Sequence, residues 1–247
     1  MRSFKDTGIA FKKKELNEAD VIFSILTKYH GRVDAIAKGI RKPTSRKSGN
    51  IDLMTFSKFH FAKGQNLDVI TEAELVNDFG VLKKKLKSTF DLFYICELLE
   101  NFLQVGEKQD ETFRITYELL LTLQHSENTM PIRAFEIKLA SLHGFEPHFD
   151  YCLGCGSKLK ENETKYISFE SLGIVCSCKK SKGNIKVSDK MLKILKFLKN
   201  ENILNSSRID VDKKVEKEIQ KITKSWLENI LEKEMRSKKC TEPIFFD

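Results

Sequence analysis

"GRVDAIAKGIRKPTSRKSGNIDLMTFSKFHFAK", residues 31–63, sets two alternating runs on either side of a polar, basic stretch. Val33, Ala35 and Ala37 share one side of an extended chain, with Asp34 and Lys38 on the other, and Phe59 and Phe61 flank His60. A period of two predicts half-buried strands, and "HGR" at 30–32, "RKPTSRKSGN" at 41–50 and "KGQN" at 63–66 carry the turn signals between them. Working outward, "SFKDTGIAFKKK", "ADVIFSILTKYH" and "LDVITEAELV" supply three more strands. Five strands in about 75 residues predict a small closed or partly closed barrel, which leaves few sheet edges exposed. An oligonucleotide-binding barrel and an SH3-like barrel both fit that count.

From about Gly80 the period changes. "STFDLFYICELLENFLQVG" from Ser88 is apolar on nearly all sides and predicts a helix buried by its neighbours, followed by a second helix in "ETFRITYELLLTLQHS". In "NTMPIRAFEIKLASLHGFEP", Pro131 suits a first helical turn and Gly144 a stop. "SDKMLKILKFLKN" has a Ser188 cap with Met191, Leu192, Leu195 and Leu198 on one face, and "KKVEKEIQKITKSWLENILEKEM" supplies a last, longer helix. The expected architecture is α+β and multidomain: a strand domain over 1–80, and a helical domain in two parts, 81–149 and 183–247, with a cysteine module at 150–182 inserted between them.

The chain has 247 residues and a formal net charge of +8, with 35 lysines and 8 arginines. Placement says more than the total. Between Lys28 and Lys58 there are eight basic residues and two acidic ones, a local bias that suits a polyanionic partner better than solubility alone. Lys38, Arg41, Lys42, Arg46 and Lys47 are the candidate phosphate contacts, against the plainer reading of a solvated loop. Phe56, Phe59 and Phe61 are read first as core, with base stacking as the alternative. The sequence has no apolar run long enough for a transmembrane helix and no secretory pattern, so an intracellular, reducing location is expected.

In that setting paired cysteines are read as metal ligands. Cys152 and Cys155 form a C-x2-C knuckle with Gly154 and Gly156, and Cys176 and Cys178 follow as a tighter C-x-C pair. Four thiolates around one zinc ion would leave no position for water, which points to a structural ion. Cys96 lies in an apolar helix and is read as core, and Cys240 is too distant in sequence to be assigned. The histidines His30, His60, His125, His143 and His148 form no H-E-x-x-H set, and no Walker-type loop is present. No enzyme is expected, although His143, His148 and Asp150 near the knuckle keep a metal-dependent nuclease as a minor alternative.

The stretch "AKGIRKPTSR" with the aromatic strand after it, and the later "FEIKLASLHGFEPHFDYCLGCG", resemble the RecO family of bacterial recombination mediators. The two segments occur in the family's order and separation, and the resemblance spans nearly the whole chain. It implies an OB-like five-stranded barrel, a helical domain and an inserted zinc-ribbon-like module with four cysteine ligands. Lys38, Arg41, Lys42 and Arg46 match the family's basic loop and Cys152 and Cys155 its first ligand pair, whereas Cys176 and Cys178 match the second pair by location but not by spacing. The resemblance further implies binding of single- and double-stranded DNA, strand annealing, and work with RecR to load RecA onto strands covered by single-strand-binding protein, whose acidic tail docks on the helical domain. It also implies a cytoplasmic, nucleoid-associated protein without membrane contact. Lys190, Lys193, Lys196 and Lys199 flank one apolar helix face that would suit such a tail, or are simply its solvated side. A zinc-containing transcription or RNA-binding factor is the alternative from another class.

Overall fold

The structure, a computed structural model, describes residues 3–235 apart from 162, 170, 171 and 182. Cys240 and the rest of the tail lie outside the described residues. The chain divides into two compact units, one of residues 1–124 with 235–247 and one of residues 125–234.

In the first unit five strands, β1 (Ser3–Glu15), β2 (Val21–Thr27), β3 (Gly31–Ala37), β4 (Phe56–Ala62) and β5 (Asp68–Asn77), close into a barrel in the order β1-β2-β3-β5-β4. β1 serves two neighbours: Ser3–Ile9 pairs with β4 and Gly8–Glu15 with β2. A bulge between Ala10 and Lys12 bends the strand where it changes partner, which is how a small sheet turns back on itself. β3 and β5 run parallel over Ala35–Ile36 and Asp68–Val69, and the other ladders are antiparallel. Inside lie Ile25, Val33, Ala35, Ala37, Phe59, Phe61 and Ile70, all buried, so Phe59 and Phe61 are core residues as first read.

Three helices complete this unit: α1 (Gly80–Lys83), α2 (Leu86–Phe102) and α3 (Asp110–His125), whose last residue belongs to the second unit. The strand-to-helix change falls near Gly80 as the sequence predicts, yet the compact unit continues to residue 124. The reason is packing of helix on barrel. Phe56 meets Tyr117 at 4.7 Å and Phe113 at 6.1 Å, and Arg32 donates to the Leu103 carbonyl at 3.0 Å. α2 departs from the expectation of all-round burial. Leu92, Ile95, Leu98, Leu99 and Phe102 are buried, whereas Leu86 and Phe93 are exposed on its other side.

The second unit holds α4 (Met130–Leu142), α5 (Asp189–Asn200), α6 (Ile203–Ser206), α7 (Lys213–Leu231) and a small antiparallel sheet of β6 (Lys165–Ser168), β7 (Gly173–Cys176) and β8 (Ile185–Val187) in the order β7-β6-β8. Pro131 sits in the first turn of α4, and the Ser188 side chain caps α5 by accepting from the Met191 N–H at 3.2 Å. The sheet is tied to the helices by few but buried contacts. Lys165, almost wholly enclosed, reaches Asp189 at 2.7 Å, and the Trp226 indole donates to the Ser168 carbonyl at 3.3 Å.

Candidate metal centre and basic loop

The knuckle between Asp150 and Leu159 is a tight backbone turn: the Cys152 N–H donates to Ser157 O and the Gly156 N–H to Cys152 O, each at 2.8 Å. Gly156 adopts φ +74°, and a Cβ on Gly154 would stand 3.1 Å from the Cys178 sulfur, so both glycines are required by the turn. The knuckle is laid along β7 by Leu153 N–H to Ile174 O at 2.9 Å. The second pair leaves the end of β7. A single 3-10 turn over Ser177–Lys179 folds Cys178 back beside Cys176, which is how a C-x-C spacing reaches the same point as a longer loop.

The four sulfurs converge. Cys152 Sγ lies 3.6 Å from both Cys176 and Cys178, Cys155 Sγ lies 3.8 Å from Cys176, and all four fall within 4.8 Å of one another. Burial opposes charge on Cys152, but the N–H groups of Cys176, Cys155 and Gly154 outweigh it and bring its thiol down to about 6. Ser157 lowers Cys155, whereas the contact with Cys176 raises Cys178. This is a set of soft donors that could hold one metal ion. Among the described residues the candidate ligand group is these four cysteines alone. Asp150 pairs instead with Lys196 at 2.6 Å, and the His148 backbone bridges to β7. Cys96, half-buried on α2, has its thiol pushed up to about 12 by loss of solvent around it.

The basic loop joins β3 to β4. Lys38, Lys42 and Arg46 are exposed, Arg41 is exposed but paired with Glu15 at 2.8 Å, and Lys47 turns inward to donate to the Ile70 carbonyl at 3.0 Å. Partial burial lowers the Lys47 ammonium. Beneath the loop an open cavity of about 650 Å³ has Val21, Phe23, Ile40 and Ile51 as an apolar floor and Lys13, Arg41 and Lys42 at its rim. Lys13 was missed by sequence reading, because its place on the rim comes from the β1–β2 pairing.

In the second unit, Lys190 and Lys193 line an open groove of about 490 Å³ with Ile194, Phe197 and Ile209. Lys196 and Lys199 are instead engaged with Asp150 and Glu146.

Among the described residues, a closed five-stranded barrel with a basic loop, continued by helices and a four-cysteine cluster, defines a two-part protein with a candidate metal centre in its second part. Residues 1–79 match the family model described as Recombination protein O N terminal and residues 86–239 the one described as Recombination protein O C terminal. The chain belongs to the Recombination protein O family. Among its relatives, each named "DNA repair protein RecO", that of Dehalococcoides mccartyi strain 195 is 30% identical over 95% of this chain and 93% of its own. That of Desulforamulus reducens is 27% identical over 99% and 96%, and that of Pelotomaculum thermopropionicum 30% over 96% and 93%.

Proposed function

We propose that this chain is a DNA repair and recombination mediator. It binds single- and double-stranded DNA through its barrel and anneals complementary strands. With RecR, it helps load RecA onto strands covered by single-strand-binding protein. The observation that carries this reading is a closed five-stranded barrel of order β1-β2-β3-β5-β4, which suits an oligonucleotide-binding barrel, with the exposed cations Lys38, Lys42 and Arg46 gathered on one loop. Cations on a loop meet phosphates without reading bases, and they screen two polyanions brought together. None of this requires bond-making chemistry, so the chain acts as a binder rather than an enzyme, in the cytoplasm beside the nucleoid.

Zinc is the ion that suits the cysteine cluster. Bonds of about 2.3 Å at tetrahedral angles separate sulfurs by about 3.8 Å, close to the separations of 3.6 and 3.8 Å. With four thiolates the ion is structural, and the module is the zinc-ribbon-like insertion of the family. The groove of Lys190, Lys193, Ile194, Phe197 and Ile209 suits the acidic, apolar-tipped tail of single-strand-binding protein.

The test is DNA binding and strand annealing across a salt series, for wild type and for a variant with Lys38, Lys42 and Arg46 changed to Ala. The variant should bind single and double strands more weakly and with a shallower salt slope. Unchanged binding would remove the loop from the mechanism, and binding without annealing would favour a transcription or RNA-binding factor.

A further inference from the structure

At the barrel end formed by the start of β1, the β2–β3 turn and the β4–β5 loop, an aromatic column leads from the core to the surface. Phe59 stacks near Phe61 at 5.5 Å and Phe61 on Phe4 at 4.8 Å, and the His30 imidazole packs against Phe4 at 4.4 Å with its plane tilted by 40°. Phe61 is wholly buried, while the His30 side chain at the other end is 45% exposed. Packing alone does not hold this last ring. Its Nδ1 lies 2.6 Å from Oδ2 of Asp6, whose side chain is fully enclosed. The same oxygen accepts the N–H groups of Tyr29 and His30 at 3.1 and 3.2 Å, and Oδ1 accepts that of Thr7 at 2.7 Å. A carboxylate only accepts, so Nδ1 carries the proton and the ring is fixed in tautomer and rotation. Nε2 has no hydrogen-bond partner among the described residues.

Around the imidazole the surface is cationic and aromatic. Lys63, paired with Asp68 at 2.9 Å, stands 4.6 Å over the Phe4 ring, and Lys28 stands 4.7 Å over the exposed Tyr29 ring.

We infer that His30, oriented by Asp6, is a stacking platform for a base of single-stranded DNA, with Lys28 and Lys63 beside it for the backbone. This rests on the DNA-binding reading above and adds to it a residue that distinguishes one strand from two. A free strand offers base faces to a ring, while a duplex keeps its bases stacked on one another and offers mainly phosphate. The exposed imidazole is therefore useful to a single strand alone. Asp6 acts as a positioning residue.

The experiment measures affinity of the full chain for a fluorescent oligo-dT and for a duplex, by anisotropy across a salt series. His30→Ala should weaken oligo-dT binding about tenfold, with the salt slope and the duplex affinity unchanged. His30→Phe, which keeps the column, should restore oligo-dT binding, and Asp6→Asn should then have no effect on it. Wild-type affinity for oligo-dT in His30→Ala overturns the inference while leaving the basic loop as the DNA site. Equal losses on both substrates, with no rescue by Phe, assign His30 to barrel structure and overturn it as well. Absence of DNA binding by the wild-type chain overturns both readings.

Discussion

The sulfur of Cys152 stands 3.6 Å from that of Cys178, across 26 residues of chain. Contact of this kind between thiols is useful chiefly to an ion, since among the described residues no disulfide is formed. Cys178→Ser removes one thiolate from the set. The purified wild-type chain should carry about one zinc per molecule and the variant far less, as read by elemental analysis. Zinc at about 100 times its dissociation constant should stabilise the second unit of the wild type by about 2.7 kcal/mol, a gain the variant should largely lose in chelator-controlled denaturation. Barrel-borne DNA binding should survive in both.

Arg133 and Glu136 form an ion pair at 2.7 Å on α4, with 3% and 1% of their side chains exposed. Arg133 also reaches Thr223 of α7 at 3.4 Å. Removing one partner leaves a charge in a site that cannot solvate it, so Glu136→Gln should cost about 3–5 kcal/mol in urea unfolding. The double replacement Arg133→Met with Glu136→Leu should cost much less, because neither charge then remains. A double variant as unstable as the single one would show that the pair does more than balance itself.

Gly31 and Gly39 share the same backbone angle, φ +64°, but not the same surroundings. A Cβ on Gly31 would lie 1.8 Å from the Glu107 carbonyl oxygen, whereas on Gly39 its nearest contact would be the flexible Lys42 side chain at 3.7 Å. Gly39→Ala should cost only the left-handed conformation, about 1 kcal/mol. Gly31→Ala must also move main chain and should exceed about 3 kcal/mol. Chemical denaturation of the two variants compares them directly.

These relationships differ in how much of them a linear reading can carry. The alternation of Val33, Ala35 and Ala37, and of Phe59 and Phe61, marks strands because side-chain direction is local, and the five barrel strands follow from it. The bulge between Ala10 and Lys12 leaves no such mark, since it depends on β1 changing partner. β6, β7 and β8 are three or four residues long, too short for a period to declare itself. The knuckle at Cys152 and Cys155 is legible from spacing. The 3-10 turn that makes the shorter Cys176–Cys178 pair workable is not. Charge type located the basic loop, but burial separates Lys47, bound to the Ile70 carbonyl, from exposed Lys38 and Arg46. Asp6 and His30 meet across 24 residues through the β1–β2 pairing, and nothing in their spacing announces it.

Asp20, just before β2, holds the start of the basic loop through the Gly39 N–H, which it accepts at 2.6 Å. That bond, then the Asn17 amide and the nearby Lys38 and Lys42, keep its carboxyl below the usual range. A carboxyl whose folded value is depressed contributes stability that is present above its unfolded value, about 3.9. That stability is lost as pH falls through the folded value. Asp20→Asn keeps an acceptor for Gly39 but not the charge. The variant should therefore be less stable than wild type at pH 7, and the difference should shrink steadily below about pH 4, as measured by urea midpoints at several pH values. A gap that stays constant into strong acid would mean that the Asp20 charge does not anchor the loop.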